Sequence, residues 1–304
     1  MNTARVTAYA KLNLTLDITG REEGYHLLDS LVCSVDLSDL IVARRRKDGL
    51  VNVYMHGLGS ESIPPERNNA FRAAEAFVKA FGTPGADITV YKNIPVGAGL
   101  GGSSADAAGA INALAKLYGV TDRAALRSLA AECGSDTAYM LDGGFARMRG
   151  RGDEIEPLEG CPRLYFLLIC PESGVSAGQC YAEWDRLSLA GGDRTAAAID
   201  ALRAGEKEVF GSLIGNDLYP AAANLNADAA RALEEAKSFS PLGAGMTGSG
   251  SAAFAYFENA EFCAWAKSRY RGRYRTLCVK TAEPNKKGTG WRNPFVLSDE
   301  ERGL

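Results

Sequence analysis

The chain has 304 residues, 46% apolar and 23% charged, and its 34 basic and 37 acidic side chains leave a net charge of −3. This is the composition of an ordinary globular protein, long enough for about two domains and for a core that needs no disulfide or metal staple. The acidic balance excludes binding driven by a basic surface, so no nucleic-acid partner is expected, although a pocket on such a protein can still be positive toward an anionic small molecule.

From Val6 through Ala8, Leu12, Leu14 and Leu16 to Ile18 the apolar residues share one parity, while Lys11, Asn13, Thr15 and Asp17 share the other. Period two predicts a strand with one buried face, from whose polar face Lys11 and Asn13 project together. Residues 20–24 are turn-like, and strands follow at 31–37, 40–44 and 50–55. The basic run 44–47 reads as a solvated hairpin edge. Phe71, Ala74, Phe77, Val78 and Phe81 are spaced as on a helix over 69–81, and 87–92 alternates again as a strand. A glycine cluster then leads into an alanine-rich helix from about Ser103, with Ile111, Leu114, Ala115 and Tyr118 as its core stripe, and a further helix covers 123–133.

The pattern resets near 157–162. An apolar strand at 164–170 is followed by helices near 194–204, 206–213 and 227–237, a strand at 252–257, a helix at 260–270 and a strand at 276–281. The elements interleave without strict β-α-β repetition. That predicts an α+β fold in two domains, residues 1–158 and 159–283, with a polar tail at 284–304. The seven cysteines are odd in number and form no C-x-x-C pair. Neither a disulfide framework nor a zinc site is encoded, and a reducing, cytoplasmic location is expected. The N-terminus lacks a signal-peptide layout, and the longest apolar run, 164–170, is far below the ~18 residues of a membrane span, so no membrane partner is expected. Of the two histidines, His56 precedes Gly57 and is expected in a loop, and a histidine metal site is not expected.

The stretch Val96-Gly97-Ala98-Gly99-Leu100-Gly101-Gly102-Ser103-Ser104-Ala105-Asp106 lies between a strand and a helix. Glycines let the main chain approach a ligand, and a helix start offers N–H groups and a positive dipole end to phosphate. Gly97, Gly99 and Gly102 satisfy G-x-G-x-x-G, but Asp122 stands between two helices rather than at a strand end, so the dinucleotide reading fails on context. No lysine follows Gly102, as a Walker loop would require. The missing positive charge must come from elsewhere, and Lys11 is the candidate. A second cluster, Gly243-Ala244-Gly245-Met246-Thr247-Gly248-Ser249-Gly250-Ser251, precedes the strand at 252–257.

The run from Pro95 to Ser104 resembles the central motif of the GHMP kinases, and 246–250 resembles their third motif. Ala10-Lys11-Leu12-Asn13-Leu14, Gly24-Tyr25-His26, Gly134-Ser135-Asp136 and Gly150-Arg151-Gly152 fit the same family, and narrow it to the branch acting on a cytidyl-linked alcohol. The resemblance implies a ribosomal-protein-S5-like N-terminal domain, a ferredoxin-like C-terminal domain and an active site in the cleft. It implies phosphorylation by ATP, with Mg2+, of the 2-hydroxyl of a cytidine diphosphate-linked methylerythritol in non-mevalonate isoprenoid synthesis, by a monomer or weak homodimer. A homoserine- or mevalonate-type GHMP kinase, or a nucleotide-binding protein without chemistry, is the competing expectation. Tyr25 and His26 argue against the first, and Lys11 with Asp136 against the second.

By the same resemblance Asp136 is the general base and Lys11 its cationic partner, with Asn13 bonding substrate. Of Tyr25 and His26, one stacks on cytosine and the other bonds its edge. Pro95, Gly97, Gly99, Leu100, Gly101, Gly102, Ser103 and Ser104 hold the nucleotide, with Ser104 toward the metal. Asn69 lines the adenine side, a position that helix capping would explain almost as well. Ser103 and Ala105 depart from the family's usual glycine and serine, and 175–177 from a usual Ser-Thr, which puts a substrate contact there in doubt.

Overall fold

The structure, a computed structural model, describes residues 2–57, 64 and 68–283, so the tail at 284–304 lies outside the described residues. The alternating N-terminal stretch forms two strands, β1 (Thr3–Asn13) and β2 (Thr15–Glu22), broken at Leu14, whose N–H donates to the Leu31 carbonyl at 2.8 Å. One buried face was expected, but Lys11, Asn13, Thr15 and Asp17 are buried as well. The polar face is covered by chain remote in sequence: the Lys11 N–H donates to the Leu100 carbonyl at 3.0 Å.

The turn is shorter than expected, only Glu23 and Gly24 at positive φ, and β3 (Tyr25–Arg45) leaves it at once. This strand replaces two expected ones, because its polar residues Asp36, Ser38 and Asp39 interrupt the apolar pattern without ending the pairing to β1. The basic run at its end is an ion-paired corner in which Arg46 bridges Asp48 at 2.7 Å and Asp87 at 2.8 Å. His56 lies within β4 (Val51–Gly57), stacked on Tyr91 at 5.4 Å, and not in a loop. Helix α1 (Asn69–Phe81) is capped by Asn68, whose side chain accepts from the Ala70 and Phe71 N–H groups.

Strand β5 (Ala86–Lys92) pairs with β3 and β4 and runs into the glycine loop and α2 (Gly102–Tyr118). Helix α2 is alanine-rich because it lies hard against the sheet: a Cβ on Gly109 would sit 2.5 Å from Ile41 Cγ1 and 3.0 Å from Ala8 Cβ. Then come α3 (Arg123–Cys133), capped by Asp122, α4 (Ser135–Asp142), and β6 (Phe145–Gly150) and β7 (Glu154–Leu158), which complete this part of the sheet on β3.

The second sheet begins with β8 (Tyr165–Cys170), an unbroken apolar run because both its faces are covered. Next follow α5 (Ala177–Arg186), α6 (Thr195–Ala204), α7 (Lys207–Leu213), β9 (Gly215–Asn216), α8 (Tyr219–Leu225) and α9 (Ala227–Lys237). The chain ends its described part with β10 (Gly243–Met246), β11 (Ala253–Phe257), α10 (Ala260–Arg269) and β12 (Arg275–Lys280). The antiparallel order is β10-β11-β8-β12, with α9 and α10 burying Leu167, Ile169, Leu233, Ala236, Cys263 and Ala266. The second glycine cluster is thus a strand plus a tight connection to β11. Strand β9 pairs parallel with β2, so chain beyond residue 158 returns to the first sheet. The architecture is α+β, as the interleaved pattern predicts. Among the described residues no helix is long and apolar enough to cross a membrane.

Candidate active site

A cleft of about 710 Å³ is lined by β1, the glycine loop, the start of α4, residues 151–152 and 175–181, and the β10–β11 connection. Its glycine-loop end is built by the turn out of β5. Asp39 accepts from the Asn93 and Ile94 N–H groups at 2.5 and 2.8 Å, and Lys92 Nζ bonds both Asp39 and Asp106, the latter at 2.7 Å. This buried triad ties the start of the loop to the first turn of α2. Burial pushes the Asp106 carboxyl up, against the pull of the Lys92 ammonium.

Gly97, Gly99 and Gly101 all have positive φ. A Cβ on Gly99 would lie 2.2 Å from the Thr247 carbonyl oxygen, so the two glycine clusters meet backbone to backbone. Gly101 caps α2 with no side chain over the helix end, leaving N–H groups free for an anion. Pro95, Gly97, Gly99, Leu100, Gly101, Gly102, Ser103 and Ser104 all line the cleft.

Lys11 Nζ donates to Asn13 Oδ1 at 2.5 Å and lies 3.6 Å from Asp136 Oδ2. The same Asn13 oxygen accepts the Gly248 N–H at 3.1 Å, and its Nδ2 donates to Ser30 Oγ at 2.8 Å, which fixes the amide's orientation. Asp136 sits in the first turn of α4, where Gly134 is the cap, and 38% of its side chain faces the open cleft. An ammonium and an accessible carboxylate therefore converge from β1 and α4, 125 positions apart in the chain, on one point. This is the constellation that proton transfer from an alcohol requires.

Tyr25 and His26 stand behind the other end. Tyr25 is 59% exposed with the Arg151 guanidinium 4.5 Å over its ring. His26 stacks on Tyr181 at 4.8 Å, and its Nε2 is 2.7 Å from Asp185 Oδ1. A carboxylate only accepts, so Nε2–H is the donor in this contact. Neither residue lines the cleft, but Arg151 and Tyr181, which they touch, do. Burial, then the nearby Asp136 charge, pushes the Tyr181 phenol up to about 12, so it stays a hydroxyl donor. Asn69 opens α1 and is not among the cleft residues.

Sequence reasoning missed Tyr181, Asp185 and the Lys92–Asp39 pair. Lys92 and Asp39 lie in ordinary strands with nothing to mark their meeting, while Tyr181 belongs to the apolar stripe of α5 with Cys180, Trp184 and Leu187, and so reads as a packing residue. For a metal, Asp106 Oδ1 is buried without a hydrogen-bond partner and Ser104 opens on the same cleft. Among the described residues no group of three His, Cys, Asp or Glu side chains forms a metal cage. Two oxygen donors beside a phosphate site fit Mg2+, which takes most of its ligands from phosphate and water.

The family description "GHMP kinases N terminal domain" matches residues 68–145, and "GHMP kinases C terminal" matches 198–263. The 4-diphosphocytidyl-2-C-methyl-D-erythritol kinase of Desulfitobacterium hafniense is 39% identical over 86% of this chain and 89% of its own length. That of Caldanaerobacter subterraneus is 34% identical over 90% and 95%. A crystal structure of 4-(cytidine 5'-diphospho)-2C-methyl-D-erythritol kinase superposes with a TM-score of 0.75 at 29% identity, over 91% of this chain and 99% of that one. Homoserine kinase from Cytophaga hutchinsonii, at 18% identity and a TM-score of 0.72 over 93% of this chain and 96% of that one, shares the fold. The chain belongs to the GHMP kinases, and within them to the 4-diphosphocytidyl-2-C-methyl-D-erythritol kinases.

Proposed function

We propose that the cleft transfers the γ-phosphoryl group of ATP to the 2-hydroxyl of 4-diphosphocytidyl-2-C-methyl-D-erythritol, a step of isoprenoid precursor synthesis. The observation that carries the reading is the convergence of Lys11 and Asp136, at 3.6 Å, beside the glycine-capped start of α2. Asp136 takes the hydroxyl proton, the freed oxygen forms the new P–O bond, and the bond to the β-phosphate oxygen breaks to leave ADP. Lys11, fixed by Asn13, stabilises the developing alkoxide and holds the carboxylate in place. The glycine loop and the N–H groups of α2 hold the nucleotide phosphates, since phosphoryl transfer is chiefly positioning and charge neutralisation. Ser104 and Asp106 would hold Mg2+, which when bound neutralises charge on the phosphate oxygens.

Tyr25, His26 and Tyr181 form the cytosine end, with aromatic faces for stacking and His26 for the base edge. The described lining residues all come from one chain, which suits a monomer or weak homodimer, and seven free thiols suit the reducing cytoplasm. The test is ADP release with a panel of alcohols. Turnover of the cytidyl substrate, with homoserine and mevalonate inert, is expected. Equal turnover of mevalonate would overturn the substrate assignment, and ATP binding without ADP from any alcohol would overturn the chemistry.

A further inference from the structure

The proposed substrate has a base at one end, the reacting alcohol at the other and a diphosphate between them, and this inference rests on that reading. Three cationic side chains line the cleft among the described residues: Lys11, Lys92 and Arg151. Lys11 is buried against Asn13 and Asp136, and Lys92 is buried between Asp39 and Asp106, so both charges are already matched. Arg151 differs. Its carboxylate partner is Glu23, at 2.6 Å on a side chain 77% exposed, a surface pair of the kind that contributes little and yields readily to a better anion.

Its place in the chain is as telling as its charge. The guanidinium lies over the Tyr25 ring, at the base end. The Arg151 carbonyl accepts a hydrogen bond from Ser135 Oγ at 3.1 Å, one residue from Asp136, at the phosphoryl-transfer end. The Arg151 N–H is held in turn by Asp153 Oδ1 at 2.9 Å, so the backbone is fixed while the half-exposed head group is held by a single surface carboxylate. One residue thus spans the interval that the diphosphate must occupy. A guanidinium fork matches adjacent phosphate oxygens bidentately, which an ammonium cannot.

We propose that Arg151 binds the diphosphate of the cytidyl substrate, and that Glu23 holds the guanidinium at the cleft mouth until the substrate displaces it. The test is calorimetric binding of cytidine and of cytidine 5′-diphosphate to the whole chain and to R151Q, R151K and E23Q. R151Q should weaken cytidine diphosphate by about 10- to 100-fold, the range for a charge-assisted hydrogen bond, and change cytidine by less than twofold. R151K should recover part of that loss. E23Q, by removing the competing carboxylate, should tighten cytidine diphosphate by about two- to fivefold. With the full substrate, R151Q should raise KM far more than it lowers kcat. Undiminished cytidine diphosphate binding by R151Q, or an equal loss for cytidine and its diphosphate, overturns the assignment while leaving the cytidyl reading intact. Wild-type protein that binds neither ligand overturns the cytidyl reading and this one with it. Arg151 is partly exposed and joins no core cluster, and an unchanged melting temperature for R151Q would show that the losses belong to binding.

Discussion

A carboxylate in the first turn of a helix ordinarily serves as a cap, yet Asp136 makes no capping bond and α4 is started by Gly134. Its loss should therefore spare the helix and strike the chemistry. Asp136→Ala is expected to lower kcat by ~10²–10⁴, the usual worth of a general base, with the thermal midpoint unchanged. A variant that retains wild-type kcat would place the base elsewhere. A second residue-scale outcome concerns Cys278, exposed on β12. A hydrogen bond from the Cys263 thiol, helped by the Lys267 ammonium against the effect of burial, brings Cys278 down to about 7. The thiolate forms above that value, so iodoacetamide should label Cys278 first, at a rate half-maximal near pH 7 rather than the ordinary ~8.5. Peptide mapping across pH 6–10 measures this, and an ordinary profile would refute it.

At the scale of elements, the contact between the two glycine runs is the most demanding feature. Gly99 has φ +79°, and a Cβ there would meet the Thr247 carbonyl oxygen at 2.2 Å. Gly99→Ala should push the loop and the β10–β11 connection apart, costing about 2 kcal/mol or more through the left-handed backbone and the clash together. Urea midpoints compare the two proteins, and equal midpoints would show that the contact is dispensable. What the sequence made legible follows the same physics. Helices α1 and α3 were readable because apolar spacing, a polar cap at Asn68 or Asp122 and a terminal glycine all agree. Helix α5 did not stand out, although Cys180, Tyr181, Trp184 and Leu187 recur at helical spacing and pack on one cluster, because Gly178 in its first turn and the buried Glu183 blur the pattern. Helix α8, with seven residues and a proline in its first turn, is too short to show a period. The candidate loop and the pair Lys11 and Asp136 were legible by motif. The buried state of the β1 polar face was not, because the covering chain lies some 90 and 235 positions away, at Leu100 and Gly248.

For the molecule as a whole, the decisive feature is that chain beyond residue 158 comes back to β2. Asp17 is buried and accepts from the Thr195 N–H and hydroxyl at 2.8 and 2.7 Å, while Arg194 bridges it to Asp217 at 2.8 and 2.5 Å. Removing one member of such a network leaves uncompensated buried charge. Asp17→Ala should cost about 3–5 kcal/mol. Wild-type protein should melt in one transition, with the two sheets unfolding together. Scanning calorimetry reports both, and two separate wild-type transitions would show that the network does not couple the halves.

The backbone contact of the two glycine runs also bears on how product escapes. Thr247 Oγ1 donates to the Gly99 carbonyl at 3.3 Å, Ala252 N–H to the Ala98 carbonyl at 3.1 Å, and Asn216 clamps the hairpin through the Met246 and Gly248 carbonyls at 2.9 and 2.8 Å. Riveted in this way, the floor of the cleft is expected to keep its shape with or without nucleotide. Product is then expected to leave past the rim, where Arg151 and the exposed Glu23 stand.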